Sequence, residues 1–449
     1  MKKNPTNKQI TPLNRKILSL AIPNIISNLS VPLLGAVDTA LIGHLDEAYY
    51  LGAIAVGSMI FNFIFWGFGF LRMGTTGMTA QAYGNKNHTY GIMTLARALT
   101  VALVFGILIV LIQGWIADLS FWLIDATPEV ERFTRIYFDI RIYTAPAVLG
   151  LYAINGWFLG MQNARYPMVV MIFLNSLNIV LDVIFVYTLG MDVDGVAWGT
   201  LIARYAGLIL AVVLLVGRYR EWLEGYVHDL LMEVEAVKKF FSVNRDIFIR
   251  TLCLIFTFSF FTAKSAEFGN VILAANSILL QMWMIVSYGI DGFAFAAESL
   301  IGRYTGSEQQ GRLNLAVKYC FLWGTGIGVV ASLVYAVLDT QILHLFTDQQ
   351  EVIAAALAVY GWTIAGPAIS SFSYIWDGVF IGATATAPMR DSMIIATLGV
   401  FLPVYGIGVY FLGNNAIWLA MTLFMVSRGL TLTFFAPKHI LGAKTQQKV

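Results

Sequence analysis

The sequence predicts an all-α polytopic membrane protein, with twelve transmembrane helices in two pseudo-symmetric lobes of six. Three observations lead to this prediction: the composition, a series of apolar stretches, and an internal repeat. Of 449 residues, 58% are hydrophobic and only 12% are charged, and the mean hydropathy is +0.73. A soluble domain carries about 25% charged residues, so a soluble fold is excluded.

Twelve apolar stretches are long enough to cross a bilayer, which takes about 20 residues. The first stretch is too long for the core of a signal peptide, so we interpret it as a retained helix. Numbered 1 to 12 in chain order, the predicted spans are 17–43, 51–71, 92–116, 136–160, 168–190, 195–217, 246–264, 271–296, 316–338, 353–382, 392–412 and 416–436.

The basic residues predict how these spans are oriented. Most of the 28 Lys and Arg residues lie in or beside the two termini and the alternate connections on the same side. Lys and Arg concentrate on the cytoplasmic side of membrane proteins, so both termini are expected in the cytoplasm. No organelle address is visible, and a bacterial inner membrane is the expected location.

The longest connection, Gly217 to Asn244, separates six spans from six. The predicted domains are an N-terminal lobe of residues 1–217, a cytoplasmic connection of residues 218–245 and a C-terminal lobe of residues 246–449. Residues 224–241 alternate charged and apolar side chains. This segment is interpreted either as an amphipathic helix on the membrane surface or as a charged linker helix.

The two lobes share short motifs at an offset of 221 to 223 positions. A polar residue and a glycine, followed later by a Pro-Met pair, occur as Asn155-Gly156 with Pro167-Met168 and as Asp377-Gly378 with Pro388-Met389. Six spans per copy is an even number, so both copies enter the membrane in the same direction. Parallel repeats around a central cavity are typical of alternating-access transporters.

The sequence lacks the motifs on which several classes of protein function depend. There is no Gly-rich phosphate loop with its lysine, which argues against ATP hydrolysis. The five histidines lie in loops or at span ends, and the two cysteines form no ligand pattern. We therefore expect no cofactor, no structural metal and no disulfide, and we expect the chain not to be an enzyme.

Asp38 lies in the outer part of span 1, where a carboxylate costs several kcal/mol unless it faces a protein interior or a water-filled cavity. No basic residue lies near Asp38 in the sequence. It is the first candidate for a proton- or cation-coupling residue.

Spans 5 and 6 supply further polar side chains. Asn175, Asn178 and Asp182 are three and four positions apart and share one helical face, and Thr200 and Arg204 are four apart. By helical rise, Asp38, Asp182 and Thr200 lie ~8, ~12 and ~8 Å inside the outer ends of their spans. Two structural alternatives remain: the asparagines join helices, or Arg204 neutralises Asp182.

The repeat provides an internal comparison for these residues. Asp38 aligns near Phe261 and Thr262, and the span 5 pair Asn178 and Asp182 aligns near Phe401 and Tyr405. The second lobe thus lacks these carboxylates, which favours a specialised ionic site in the first. Asp377 is the reverse case, because it is acidic where the first lobe has Asn155, and it is a secondary candidate.

The sequence resembles the multidrug and toxic compound extrusion (MATE) transporters, in the branch named after the DNA-damage-inducible protein F. The resemblance covers nearly the whole chain and is carried by Val37-Asp38-Thr39-Ala40-Leu41-Ile42-Gly43 and by Leu71-Arg72-Met73-Gly74-Thr75-Thr76-Gly77 with Gln81. It implies a V-shaped transporter that exports drug-like, often cationic or amphipathic compounds in exchange for protons or sodium.

The resemblance also implies roles for individual residues. Asp38 is the implied coupling residue, and its implied partners are Tyr137, Asn155, Asn178, Asp182 and Thr200. The branch associated with sodium coupling also uses a glutamate in span 7 with an aspartate in span 10. Asp377 matches the aspartate, but span 7 has Arg250 and no acidic residue, so no complete cation site is expected in the second lobe.

The preferred hypothesis is a proton-coupled multidrug antiporter, acting as a monomer on small amphipathic or cationic compounds and without a nucleic-acid partner. Sodium coupling through Asp38, Asn178, Asp182 and Thr200 is the first alternative. A flippase for lipid-linked or amphipathic metabolites is the second. An integral-membrane enzyme is the third, and no cluster of catalytic side chains supports it.

Overall fold

The twelve-helix fold predicted from the sequence is confirmed by a computed structural model. The structure describes residues 7–42, 48–124 and 126–442, and the described part contains twelve helices long and apolar enough to cross a membrane and no β-strand. The side chains of residues 7–10, 36 and 38–48 lie outside the description, and this includes the Asp38 side chain.

The helices of the first half correspond to spans 1 to 6. They are Asn7–Ile42; Ala48–Gly67 with Phe70–Asn85; His88–Leu111; Pro128–Arg141 with Ala145–Gly160; Arg165–Val183; and Val193–Arg218. Span 5 continues into a π-helical turn, Ile184–Thr188, and a short helix, Gln113–Leu123, follows span 3.

The helices of the second half correspond to spans 7 to 12. They are Val234–Ala266; Asn270–Gly306; Gln310–Val337; Gln350–Gly382; Thr386–Ile394 with Leu402–Leu412; and Asn415–Ala436. A π-helical segment, Ile395–Phe401, joins the two parts of span 11, and another, Pro437–Leu441, ends span 12.

Spans 2 and 8 are longer than predicted. They end at Asn85 and Gly306 rather than at 71 and 296. Their added turns are less hydrophobic but are buried in protein; those of span 2 include Thr75, Thr76 and Thr79. Hydropathy detects contact with lipid, so it misses helix that is covered by other helices.

The connection between the halves is not one amphipathic helix over residues 224–241. It consists of a short helix, Arg220–Leu223, a 3₁₀ turn, His228–Leu230, and the start of span 7 at Val234. The ring of Trp222 stacks on His88, with centroids 4.2 Å apart. The connection therefore packs on the start of span 3, which interrupts the helix that the charge pattern suggested.

The chain divides into two compact units by its internal contacts. The N-terminal unit is Ile26–Phe241, and the C-terminal unit comprises Ser242 onwards together with the residues up to Ile25. In the C-terminal unit, the Trp323 indole donates a hydrogen bond to Asn14 at 3.2 Å. The start of span 1 thus packs with the second half of the chain, and the lobe boundaries at 217 and 246 remain predictions.

Each unit has its own apolar core. In the N-terminal unit the core includes the fully buried Phe61, Phe138 and Trp157. In the C-terminal unit it includes Phe261 and Trp418, whose rings make an edge contact at 4.9 Å.

Close helix crossings at glycine confirm the internal repeat. An added Cβ at Gly156 would lie 2.4 Å from the Arg72 carbonyl oxygen, and one at Gly378 would lie 2.2 Å from that of Ala294. Both residues of the second pair lie 222 positions after those of the first. Spans 2 and 4 therefore cross in the N-terminal unit as spans 8 and 10 cross in the C-terminal unit.

Left-handed backbone positions repeat in the same way. The described non-glycine residues with positive φ are Lys86, Gln162, Glu308 and Thr384, with φ of 58°, 62°, 54° and 52°. Glu308 lies 222 positions after Lys86, and Thr384 lies 222 positions after Gln162. These residues follow equivalent helix ends, so the repeat extends to the backbone conformation of the turns.

We expect Gly378→Ala to destabilise the protein, because the new methyl group would meet the backbone of span 8. Separating two packed helices costs about 1–3 kcal/mol. The midpoint of thermal unfolding in detergent, measured by size-exclusion chromatography, should fall clearly.

Gly361→Ala is the matched control on the same helix, because no atom lies within 4 Å of its added Cβ. This variant should unfold at or above the wild-type temperature, since alanine favours a helix by up to about 1 kcal/mol over glycine. Equal midpoints for the two variants would contradict the close crossing.

Candidate functional site

The polar face of span 5 is buried inside the N-terminal unit. Asn175, Asn178 and Asp182 are 7%, 3% and 0% exposed. Their spacing places them on successive turns of the helix Arg165–Val183. Asp182 is the last of the three and lies one residue before that helix ends, where the π-helical turn begins.

The Asn178 amide holds the Asp182 carboxylate. Its Nδ2 donates hydrogen bonds to Oδ1 at 3.0 Å and to Oδ2 at 2.9 Å. A buried carboxylate without donors would be strongly destabilising, and an amide on the preceding turn provides two N–H groups without adding charge. The Asn178 amide therefore supplies two of the hydrogen bonds that keep this acidic group inside the protein.

Gly199 on span 6 allows the carboxylate to lie against the helix backbone. An added Cβ at this position would be 2.1 Å from Asp182 Oδ1, which is far inside van der Waals contact. Sequence reasoning did not identify Gly199, because a glycine in an apolar span is ordinary. Its position next to the candidate Thr200 is the one signal available in the sequence.

Thr200 and Arg204 lie on the same helix, Val193–Arg218. Thr200 is buried at 7% exposure and directly follows Gly199. Arg204 is half-buried one turn later and lies within electrostatic range of Tyr152. The interpretation that Arg204 neutralises Asp182 stays open.

Span 1 contacts span 5 inside this unit. Asn175 Nδ2 donates to Ser30 Oγ at 2.9 Å and approaches the Ser30 carbonyl oxygen at 3.4 Å. Asp38 lies eight positions after Ser30 on the same continuous helix. Ser30 was not among the predicted residues, although its spacing from Asp38 on span 1 was visible.

Tyr137 on span 4 is buried and takes part in a small polar group. Its hydroxyl accepts a hydrogen bond from Arg141 Nη1 and lies 3.4 Å from Ser58 Oγ. The Arg141 guanidinium also lies over the rings of Phe61 and Tyr137, 5.0 and 5.2 Å from their centroids. Arg141 thus holds one of the candidate residues.

Asn155 lies further along span 4, next to the crossing glycine Gly156. Its Oδ1 is buried and accepts no hydrogen bond from the described residues. A buried amide oxygen without a hydrogen-bond donor is unfavourable, so this oxygen can accept a hydrogen bond from a bound compound.

Asp377, the secondary candidate, lies in the C-terminal unit between two arginines. Its Oδ2 accepts hydrogen bonds from Arg250 Nη2 and, at 2.6 Å, from Arg428 Nη2. The side chains of Asp377 and Arg428 are 7% and 1% exposed. The carboxylate is thus ion-paired by spans 7 and 12.

The polar groups therefore fall into separate sets. The structure brings together Asp182, Asn178 and Gly199, and it joins Asn175 to Ser30 of span 1. For Thr200, a contact with this group stays a prediction. Over the described residues, no group of three or more His, Cys, Asp or Glu side chains is arranged to hold a metal ion.

Comparisons with known proteins identify the family. The MatE family model matches residues 23–184 and again residues 247–405. The chain is 37% identical over 432 residues to DNA damage-inducible protein F of Escherichia coli, covering 96% of this chain and 93% of that protein. It is 20% identical to the multidrug export protein MepA of Staphylococcus aureus, covering 88% and 89% of the two chains.

A solved structure has the same fold. It is the outward-facing conformation of a multidrug resistance MATE family transporter, with a TM-score of 0.85 and 20% identity, over 99% of this chain and 100% of that one. The two matched segments correspond to the two copies of the internal repeat. With twelve spans, a duplicated half and a family model that covers most of its length, the chain belongs to the MATE family of membrane transporters.

Proposed function

We propose that this protein exports amphipathic or cationic compounds across the bacterial inner membrane in exchange for protons, and that Asp38 is the coupling residue. Its membership of the MATE family and its likeness to a multidrug export protein support an efflux transporter. The proposal is carried by one observation: a fully buried carboxylate, Asp182, is held by an amide on a helix that contacts span 1.

Helix register supports a site shared by Asp38 and Asp182. Spans 1 and 5 are both odd-numbered, so they run in the same direction, and Ser30 and Asn175 are in contact. Asp38 lies eight residues beyond Ser30, or ~12 Å along the axis, and Asp182 lies seven residues beyond Asn175, or ~10 Å. The two acidic positions therefore fall at a similar depth.

The second half of the chain supports specialisation of the first. Near the positions that match Asn178 and Asp182 in the repeat, the C-terminal unit has the buried aromatic residues Phe401 and Tyr405. Both pack edge-on against the Phe260 ring, with centroids 5.6 and 5.2 Å apart. Span 11 thus contributes aromatic side chains to the apolar core of its unit, whereas the equivalent span 5 carries an acidic group.

The coupling step is a proton transfer to and from the Asp38 carboxylate. Two carboxylates in one dehydrated site cannot both ionise cheaply, so Asp38 and Asp182 together favour holding a proton. Protonation at the outer side converts Asp38 to the neutral acid, lets span 1 rearrange at Pro23 and Pro32, and weakens retention of the compound. Loss of that proton to the cytoplasm restores affinity, and this difference between states provides the coupling.

The orientation of Asn178 favours protons over sodium. Sodium prefers oxygen ligands, whereas the Asn178 side chain directs its NH₂ group toward both Asp182 oxygens. A sodium site built from Asp38, Asn178, Asp182 and Thr200 would require the amide to turn. Sodium coupling therefore stays the alternative.

Two other functions are less well supported. A flippase for lipid-linked metabolites would use the same fold, and the test below distinguishes it because it would not require a proton gradient. The named relatives are transporters, which favours transport over the integral-membrane enzyme. Small amphipathic compounds and the lipid bilayer are the expected partners of a monomer, with no cofactor.

We expect Asp38→Asn to abolish movement of protons on addition of a transported dye to proteoliposomes. A side-chain amide does not take up or release a proton near neutral pH. The exchange of dye for protons should therefore stop even where the dye still binds. The measurement is the change in a pH-sensitive dye inside the vesicles, with and without sodium.

Asp118→Asn is the control, because this carboxylate is 75% exposed and pairs with Arg135 on the surface. It should transport like wild type. Export by Asp38→Asn against a concentration gradient would refute the proposed coupling. Export by wild type that a sodium gradient alone drives would mean that the same site couples transport to sodium instead of protons.

We expect Gly199→Ala to reduce proton-coupled transport roughly tenfold or more, because the methyl group must displace a hydrogen-bonded carboxylate. Gly217→Ala on the same helix is the matched control, since its added Cβ has no atom within 4 Å. Transport is measured at equal amounts of folded protein. Equal rates for both variants would show that the position of the Asp182 carboxylate is unimportant.

A further inference from the structure

The C-terminal unit contains a buried cluster with more positive than negative charge. Arg250 on span 7 and Arg428 on span 12 both donate to one oxygen of Asp377 on span 10. The side chains are 8%, 1% and 7% exposed in that order. Two guanidinium groups and one carboxylate give the cluster a net charge of +1.

Much of the hydrogen-bonding capacity of the two guanidiniums has no acceptor among the described residues. Each carries five N–H groups, and each gives one to Asp377. The buried Nε of both arginines has no acceptor among the described residues, and Arg428 Nη1 reaches the weak acceptor Met425 Sδ at 3.1 Å. The second carboxylate oxygen, Asp377 Oδ1, also accepts no hydrogen bond from the described part of the chain.

Neighbouring charges are arranged differently. Nearby, Asp246 accepts hydrogen bonds from Arg390 at 2.8 Å and from Arg245 at 3.2 Å, and Arg390 also pairs with Asp391 at 2.7 Å. That network has two acids for two arginines and is balanced. The half-buried Asp291 on span 8 lies within electrostatic range of Tyr374, a ring that Arg428 contacts at 5.9 Å.

A purely structural ion pair does not account for the second arginine. A bidentate pair would use both carboxylate oxygens and two N–H groups of one guanidinium, whereas here each arginine gives one N–H group to the same oxygen. An unpaired charge in a buried site is strongly destabilising unless another group neutralises it. Arginine pairs recognise planar oxyanions through parallel N–H groups, which is the chemistry left unused here.

We propose that the Arg250–Asp377–Arg428 cluster binds an oxyanion, either a free one or the carboxylate or phosphate group of an exported compound. The bound oxyanion accepts hydrogen bonds from both guanidiniums and neutralises the excess charge. This site is independent of proton coupling through Asp38, and its test measures binding rather than transport.

The first test follows thermal unfolding of the purified full-length protein while chloride is replaced by acetate or phosphate at constant ionic strength. We expect the wild-type midpoint to rise with the oxyanion concentration. Asp377→Asn removes the internal competitor, so it should respond at roughly tenfold lower concentration, whereas Arg428→Gln should lose the response. Arg250→Gln, at the edge of the cluster, provides the same test if Arg428→Gln does not fold.

Arg390→Gln is the matched control, because it removes an arginine from the balanced network and should keep the oxyanion response. A purely structural cluster predicts a different pattern, in which Asp377→Asn is destabilised and no variant responds to oxyanions. That pattern would overturn the proposal.

The second test identifies the source of the oxyanion. A xanthene dye with a free carboxylate and the ethyl ester of the same dye are titrated by fluorescence polarisation. If the exported compound supplies the group, Arg428→Gln weakens binding of the carboxylate dye roughly tenfold and leaves the ester unchanged. If acetate or phosphate stabilises the protein but the two dyes bind alike, the site takes a free anion. If wild type is neither stabilised by acetate or phosphate nor binds the carboxylate dye better than the ester, the proposed site is refuted.

Discussion

An ionised side chain within hydrocarbon must find its partners inside the protein, and this constraint shapes both units of the transporter. Each unit buries a carboxylate on one of its spans and solves the problem differently. Asp182 accepts hydrogen bonds from a neutral amide on the preceding turn. Asp377 is held by two arginines, which pair with its charge and add one of their own.

The sequence was sufficient for the fold and for contacts within single helices. Hydropathy predicted the twelve spans, and the four-residue spacing of Asn178 and Asp182 predicted their shared face. The sequence could not predict contacts between helices where the partner was a residue common in apolar spans, such as glycine. Gly199 matters only because the backbone of span 6 approaches Asp182, and no pattern in one sequence reports that distance. The arginines that hold Asp377 lie 127 and 51 positions away, so their pairing depends on tertiary structure.

The two repeats show which features of a helix bundle belong to its scaffold. Gly156 and Gly378 make the same close crossing with the backbone of a neighbouring span. The acidic positions, in contrast, differ between the copies: Asn155 aligns with Asp377, and Asp182 aligns near Tyr405. Close crossings fix the geometry of the helices and tolerate no added atom, whereas the polar positions differ without disturbing those crossings. Such a division lets one architecture bury a carboxylate against an amide in one unit and a carboxylate between two arginines in the other.

The left-handed residues after spans 2, 4, 8 and 10 form two matched pairs, one member of each pair in each half of the chain. Lys86, Gln162, Glu308 and Thr384 have bulky side chains in a conformation that usually belongs to glycine or asparagine. Lysine in one half matches glutamate in the other, and glutamine matches threonine. The matched bends therefore show that the two halves keep the same turn geometry even where the residue at the bend differs.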